Sequence, residues 1–402
     1  MLGPFFAYSV KIDPKEEHKA LTLVLAVKPG SVSKEQARMV ISKLCEVLNS
    51  GSYLNSMAVE VLEAETSLYT QESEVNRGFA YDNYYGDAPA PGSSVGPQDG
   101  TASGSLGPVF MFKTLNDGEV KHLGITCSHA VAPGAAKMDP FFNYKNVEIL
   151  SPSAKDRDAY LEARARSSFP HSSFDTERKD FLLPSSLFNI VHWRLGYLSH
   201  ITGKDTTWPT KTPGERCRLD MASIEIKLPR IDGLTNVPCK QLLDKIQSNL
   251  DSCKEGTSGW VCKNGRITGP TVGRQHAPRI LTRVYEDDTL RTETWERAIL
   301  PDSPYRFAKP GEAGALVYDM HNKESLGMIW GGMDQPEKAH DGMATLKALC
   351  ENPPPRGGIP FHETGLAVQD LVFYTPISVL QEALTDSIAQ YYGPGSFELT
   401  LL

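Results

Sequence analysis

Apolar positions along this chain repeat with two periods, and the switch between them suggests where it divides. In the first 75 residues both occur. YSVKI (8–12), LTLVLAV (21–27) and the alternating MAVEVLEAE (57–65) predict strands. KEQARMVISKLCEVLN (34–49) carries its apolar residues at helical spacing. Ser33 precedes that run and Gln36 stands three residues later, the spacing of a capping box. Strand–strand–helix–strand order over residues 1–75 predicts a small α/β accessory domain with a modest core, either regulatory or a structural cover for the next domain.

The pattern then breaks. DAPAPGSSVGPQDGTASGSLG (87–107) is rich in Gly, Ser, Pro and Asp, and residues 76–107 are expected to be a linker or surface arm. From Val109 the chain alternates in short runs separated by turn residues: VFMFKTLNDGEVKHLGITC with a turn at Asn116-Asp117-Gly118, then MASIEIKL, WVCKNGRIT, ALVYDM and LGMIWGG. Many short strands of this kind predict a mainly β domain, a sandwich or barrel, over residues 108–402. Helices are expected at Ser151–Ser167, at Lys240–Ser252, and at Pro376–Tyr391, the last docked on the β domain.

Composition narrows the function classes. The 402 residues are 40% hydrophobic and 22% charged, ordinary for a soluble globular protein of two domains. A net charge of −8 without a basic patch argues against a nucleic-acid partner. No apolar run is long enough to span a bilayer, so no membrane partner is expected. MLGPFFAYSVKIDPKEEHKA does not read as a secretory signal. Seven scattered cysteines with no C-x-x-C are expected to be reduced thiols in a cytoplasmic, intracellular protein. His171, His192 and His200 show no metal-ligand spacing, and no phosphate-binding glycine motif occurs, so neither a metal nor a cofactor is expected. Oligomeric state is left open.

Three short stretches carry the chemistry. LGITCSHAV (123–131) delivers His129 just past the end of an apolar strand. RLDMASIEIKL (218–228) places Asp220 before another strand. PGEAGAL (310–316) is a glycine turn entering a third. Each is weak alone. In the order His, Asp, glycine loop they match the chain order of a chymotrypsin-type triad, which differs from other hydrolase folds. An imidazole takes a hydroxyl proton near neutral pH, a buried carboxylate fixes its tautomer, and backbone N–H groups face the developing oxyanion.

On these stretches, together with GSSVG (92–96), GSLG (104–107), NGRITGPTVG (264–273), LGMIWGG (326–332) and VFYTPISVL (372–380), the chain resembles the trypsin-like, chymotrypsin-fold serine peptidases, in particular large intracellular fungal members, over residues 92–385. The resemblance implies a chymotrypsin-like double β-barrel with helical insertions. It implies His129 as general base, Asp220 as its orienter and position 313 as nucleophile. Gly311 and Ala313 would supply the oxyanion-hole amides, and Trp330, Gly331 and Gly332 would line the substrate cleft, with a mainly apolar pocket. The partner implied is a peptide or protein substrate.

The loop departs from the family pattern. Glu312 stands for the usual Asp and Ala315 for the last Gly, and Ala313 stands where the nucleophilic serine belongs. A methyl group cannot attack a carbonyl, so the chain as written is expected to be catalytically dead. Three readings are open: a serine endopeptidase carrying an engineered Ser-to-Ala change, a natural pseudo-protease that binds a peptide or protein in the old cleft, or a repurposed His129–Asp220 general base acting on a small molecule. Cys127 shares a strand face with His129 and is read as a buried structural thiol. Nothing predicts a zymogen switch in which a freed N-terminus orders the site.

Overall fold

The protein is described from a computed structural model, which covers residues 2–11, 19–50, 58–69, 89–133, 147–167, 193–227, 234–238, 242–244, 247, 259–286, 289–301, 306–334 and 371–402. The first strands are β1 (Leu2–Lys11), β2 (Lys19–Val27), β3 (Ala58–Glu63) and β4 (Glu65–Leu68), with helix α1 (Lys34–Ser50) between β2 and β3. The capping box forms as the spacing predicts: the Ser33 N–H donates to Gln36 Oε1 at 2.8 Å and the Gln36 N–H to Ser33 Oγ at 3.2 Å. β1 and β2 are antiparallel, and β3 joins β2 in parallel through the α1 crossover. The small core of this α/β unit is Leu25, Val27, Ala37 and Val61, with Val40, Ile41 and Leu44 packed against it. Where one strand over 57–65 is expected, the chain breaks at Ala64, whose N–H turns to the Val27 carbonyl (2.9 Å), and β4 departs in a new direction.

Two β units come next. The first is a sheet containing β5 (Ser94–Pro97), β6 (Gly104–Ser105), β7 (Val109–Thr114), β8 (Val120–Thr126), β9 (Glu148–Leu150), β10 (Arg194–Ile201) and β13 (Ala222–Ile226); β11 (Thr207–Pro209) and β12 (Arg216–Arg218) form a separate hairpin. β5 and β6 lie in the stretch expected to be a surface arm, yet all their residues are buried. The glycines there are small because backbone packs tightly against them, and Ser94 hydrogen-bonds through its hydroxyl to Ser153 at 3.0 Å; neither marks a solvated segment. The predicted β7–β8 turn is present, with Gly118 at φ +71 and the Glu119 N–H donating to Asp117 Oδ1 at 3.0 Å.

The second unit holds β14 (Trp260–Gly265), β15 (Gly269–Gln275), β16 (Ile280–Glu286), β17 (Thr289–Pro301), β18 (Leu316–Asp319), β19 (Ser325–Asp334) and β20 (Val372–Pro376). Six of these close on themselves in the order β15-β14-β18-β19-β20-β17, with β17 returning to β15. Helix α2 (Ser128–Val131) follows β8, and α3 (Ala154–Ser167) follows β9. Helix α4 (Ile377–Tyr392) buries Val379, Leu380, Ala383 and Leu384, one stripe at helical spacing, and hands the chain to β21 (Phe397–Leu401). β21 pairs with β7, so the C-terminus is stitched to the first sheet. A closed six-stranded antiparallel barrel beside a second antiparallel sheet, with helical insertions and a small N-terminal α/β unit, is the mainly β, chymotrypsin-like architecture expected.

The N-terminal unit is continuous with the barrel. β1 pairs with β16, and β4 pairs with β19. Of the expected helix over 240–252, residues 242–244 and 247 are described and helical. The rest of it lies outside the described residues, as do His171 and His192.

Candidate active site

β8 ends at Thr126, and the one-turn helix α2 turns His129 inward, where its side chain is 2% exposed. β13 begins just after Asp220, which is fully buried. The two strands pair with Ala222 opposite Thr126, so sheet register brings the two side chains together. His129 Nδ1 is hydrogen-bonded to Asp220 Oδ2, and the His129 N–H donates to Asp220 Oδ1 at 3.2 Å. Ser128 Oγ also donates to Oδ1. Burial acts to raise the Asp220 pKa, but the adjacent imidazole and the Ser128 hydroxyl outweigh it and bring it to about 2. The carboxylate is therefore ionised at neutral pH and fixes the ring by its Nδ1 edge. Nε2 is buried, and no group among the described residues hydrogen-bonds to it.

The glycine loop reaches the same place from the barrel. Gly311 and Gly314 adopt φ +93 and φ +99, backbone that L side chains rarely take. A Cβ on Gly104 would lie 2.6 Å from the Ala313 carbonyl oxygen and 2.7 Å from the Ala130 Cβ. The loop and the residue after His129 therefore both close on Gly104. Ser105 pins the loop, its N–H donating to the Ala313 carbonyl at 2.8 Å. The Ile329 carbonyl accepts from both Cys127 Sγ (3.2 Å) and the Gly314 N–H (2.8 Å), coupling the histidine segment, the loop and β19 at one atom.

Two buried ion pairs, neither marked by any local sequence motif, hold the loop. Glu312 accepts from Lys263 Nζ at 3.0 Å, and from the N–H groups of Lys309 (2.9 Å), Ile267 (3.1 Å) and Thr268 (2.7 Å). Arg266 donates to both Asp156 oxygens, at 2.8 and 2.5 Å, and to the Gly311 carbonyl at 3.0 Å. Gripping that carbonyl sets the orientation of the neighbouring peptides, and the Gly311 N–H points to the Tyr69 carbonyl at 3.0 Å. Lys263 and Arg266 thus hold the loop from two sides, one through the Glu312 carboxylate and the other through the Gly311 carbonyl.

β19 carries the expected cleft residues. The Trp330 side chain is buried rather than lining an open surface; it stacks on Phe373 at 5.3 Å, lies under the Arg218 guanidinium at 4.9 Å, and donates to Glu296 Oε2 at 3.3 Å. The Trp330 backbone carbonyl accepts from the Tyr69 N–H at 3.2 Å. Gly331 and Gly332 face Leu68 and Ser67 of β4. One ligand atom each from Cys127, His129 and Asp220 lie within 4.8 Å of one another, but the thiol is committed to Ile329 and the carboxylate to His129 and Ser128. That is a hydrogen-bonded cluster. Burial, and secondarily the Asp220 charge, push the Cys127 thiol well up, so it stays protonated. His200 contacts Ser387 Oγ at 3.1 Å, away from the site.

No family model and no curated protein sequence matches the chain. Among solved structures it is similar to Thermobifida fusca protease A at 12% identity, covering 78% of this chain and 100% of that one, with a TM-score of 0.30. It is similar to a glutamic-acid-specific serine protease described as using a histidine triad in substrate binding, at 10% identity, 78% and 100% coverage and a TM-score of 0.31. Nocardiopsis protease matches at 11% identity over 78% and 97%, with a TM-score of 0.31. Likeness at that level carries no weight alone; the architecture rests on the chain's own strand pairing.

Proposed function

We propose that this chain has the site of a trypsin-like serine endopeptidase whose nucleophile position carries alanine. The observation that carries the reading is His129: its Nδ1 is tied to the Asp220 carboxylate while its Nε2 is left with no partner among the described residues. An imidazole held in that tautomer is poised to take a proton at Nε2. With a hydroxyl at 313, His129 would act as general base toward it and then as general acid toward the leaving amine. Asp220 would stabilise the imidazolium. The Gly311 and Ala313 N–H groups would meet the oxyanion. With a methyl group at 313, turnover falls by about six orders of magnitude, leaving a site that binds a peptide without cutting it.

A second reading has its own support. The chain as written lacks only the hydroxyl, and its cleft edge is paired with a strand, so a pseudo-protease that holds a peptide is the alternative. Fluorophosphonate labelling separates the two. The chain should not label, and Ala313→Ser should, with His129→Ala abolishing labelling in that background. A folded Ala313→Ser protein that neither labels nor cleaves a peptide bond would leave peptide holding as the function.

A further inference from the structure

The strand lying along the edge of β19 belongs to the chain itself. β4 runs antiparallel to β19 with Glu65 opposite Asp334, Thr66 opposite Met333, Ser67 opposite Gly332 and Leu68 opposite Gly331. The pairing continues one residue beyond β4. The Tyr69 N–H donates to the Trp330 carbonyl at 3.2 Å, and the Tyr69 carbonyl accepts from the Gly311 N–H at 3.0 Å. Tyr69 is 1% exposed. A Cβ on Gly332 would lie 2.7 Å from Tyr69 Cζ and closer still to its hydroxyl, and a Cβ on Gly331 would strike the Ser67 carbonyl. Both glycines are thus explained by what they accommodate: one a backbone, the other a tyrosine ring.

We propose that residues 65–69 are an intramolecular ligand of the active site, held in substrate register, and that the peptide bond following Tyr69 is the bond this chain would cut in itself once a hydroxyl stands at position 313. The proposal rests on the endopeptidase reading above. Three independent features of a bound substrate coincide on one short segment: strand addition to the cleft edge, a carbonyl on an oxyanion-hole amide, and a buried side chain against the pocket glycine. A surface strand that merely covered an edge would need only the first.

The geometry also names the specificity. The pocket takes an aromatic ring, so substrates offered in trans would carry Tyr, or a side chain of like size, before the cut bond. Those substrates must compete with a tethered occupant whose effective concentration is on the order of millimolar. The tether is built to hold. Ala64 is bonded to Val27, β2 and β3 pack on α1, and β1 pairs with β16, which in turn pairs with barrel strand β17, so the α/β unit presents β4 to the cleft.

The step balances with one water. The introduced serine hydroxyl attacks the Tyr69 carbonyl carbon and gives its proton to His129 Nε2. The C–N bond breaks, and the amine of residue 70 leaves with that proton. Water then hydrolyses the resulting ester, releasing a Tyr69 carboxylate and restoring the hydroxyl.

The test uses full-length Ala313→Ser and two readings, fluorophosphonate labelling and intact mass. The expected result is a single cut after Tyr69, at a rate unchanged by tenfold dilution, and abolished by adding Tyr69→Asp. Labelling without that cut, or a cut elsewhere, overturns the self-cleavage register while leaving the endopeptidase reading standing. If Ala313→Ser neither labels nor cuts, the endopeptidase reading has failed, and hydrogen exchange on the unsubstituted chain decides whether the cleft is occupied. The backbone amides of Gly332 and Asp334, which the register turns toward β4, should exchange at least about tenfold faster in Tyr69→Asp or in Ser67→Pro, with β14 and β18 unchanged as the check on folding. Equal exchange in both variants overturns the proposal.

Discussion

Lys263 places its ammonium nitrogen 3.0 Å from each carboxylate oxygen of Glu312, and neither side chain is exposed. Glu312 stands between Gly311 and Ala313, so this pair fixes the peptides that, in the proposed endopeptidase reading, would face an oxyanion. Removing one partner leaves an uncompensated buried charge. Lys263→Met should therefore cost about 3–5 kcal/mol of stability, read by urea denaturation. In the Ala313→Ser background it should also abolish fluorophosphonate labelling. Adding Glu312→Leu should recover much of the stability, because the orphaned charge is gone, but not the labelling. Full labelling of the single Lys263 variant would show that the loop holds its shape without the pair.

Gly314 tests the other side of the loop. Its φ is +99, and a Cβ there would run into the Ser105 carbonyl and lie 2.5 Å from Thr126 Oγ1. Gly314→Ala combines backbone strain with a clash against backbone that cannot move freely. A loss of about 3 kcal/mol or more is expected. Gly118→Ala is the contrast: the same sign of φ, but open space around it. It should cost only about 1 kcal/mol, since strain acts alone. Similar losses at the two positions would contradict the packing around the loop.

Which parts of the site could be read from the sequence depends on distance along the chain. His129, Asp220 and the glycine loop each sit in a local motif, a strand end or a tight turn, and their order is informative. Asp156 and Arg266 are 110 residues apart and Lys263 and Glu312 are 49 apart, with no local pattern to mark them. An isolated Lys in WVCKNGRIT reads as one more outward strand residue; only barrel closure turns it inward. Ser94 and Gly104 are legible as turn formers, yet Gly104 admits close backbone packing and Ser94 hydrogen-bonds to Ser153 59 residues away, uses that composition cannot distinguish from a loop. Tyr69 ends a stretch with no turn or cap signal, so its place in the cleft depends wholly on the β4–β19 register.

Asp220 makes stability depend on acid. Its pKa falls from the ordinary 3.8 to about 2 in the folded state. A depressed carboxylate contributes stability above its unfolded value, and that contribution is lost as pH drops through the folded one. The window is therefore between about pH 4 and pH 2, and the contribution at pH 7 is about 2 kcal/mol. Asp220→Asn should be less stable than the parent at pH 6, and the difference should shrink toward pH 2. A difference that stays constant over that range would place the stabilisation elsewhere.

Cys127 sets a sulfur beside the histidine, and its environment decides whether it can replace the missing hydroxyl. Its side chain is fully buried, its thiol donates to the Ile329 carbonyl, and burial together with the Asp220 charge disfavours the thiolate. Thiolate, not thiol, is the nucleophile. Iodoacetamide at pH 8 should leave Cys127 unmodified in the native protein and alkylate it readily after denaturation, as read by peptide mass. Rapid native alkylation would mean an exposed, ionised sulfur next to His129 and a cysteine-based hydrolase in place of a disarmed serine one. Protection has the opposite consequence. It leaves position 313 as the point where covalent chemistry is lost, and Ala313→Ser as the substitution that should restore it.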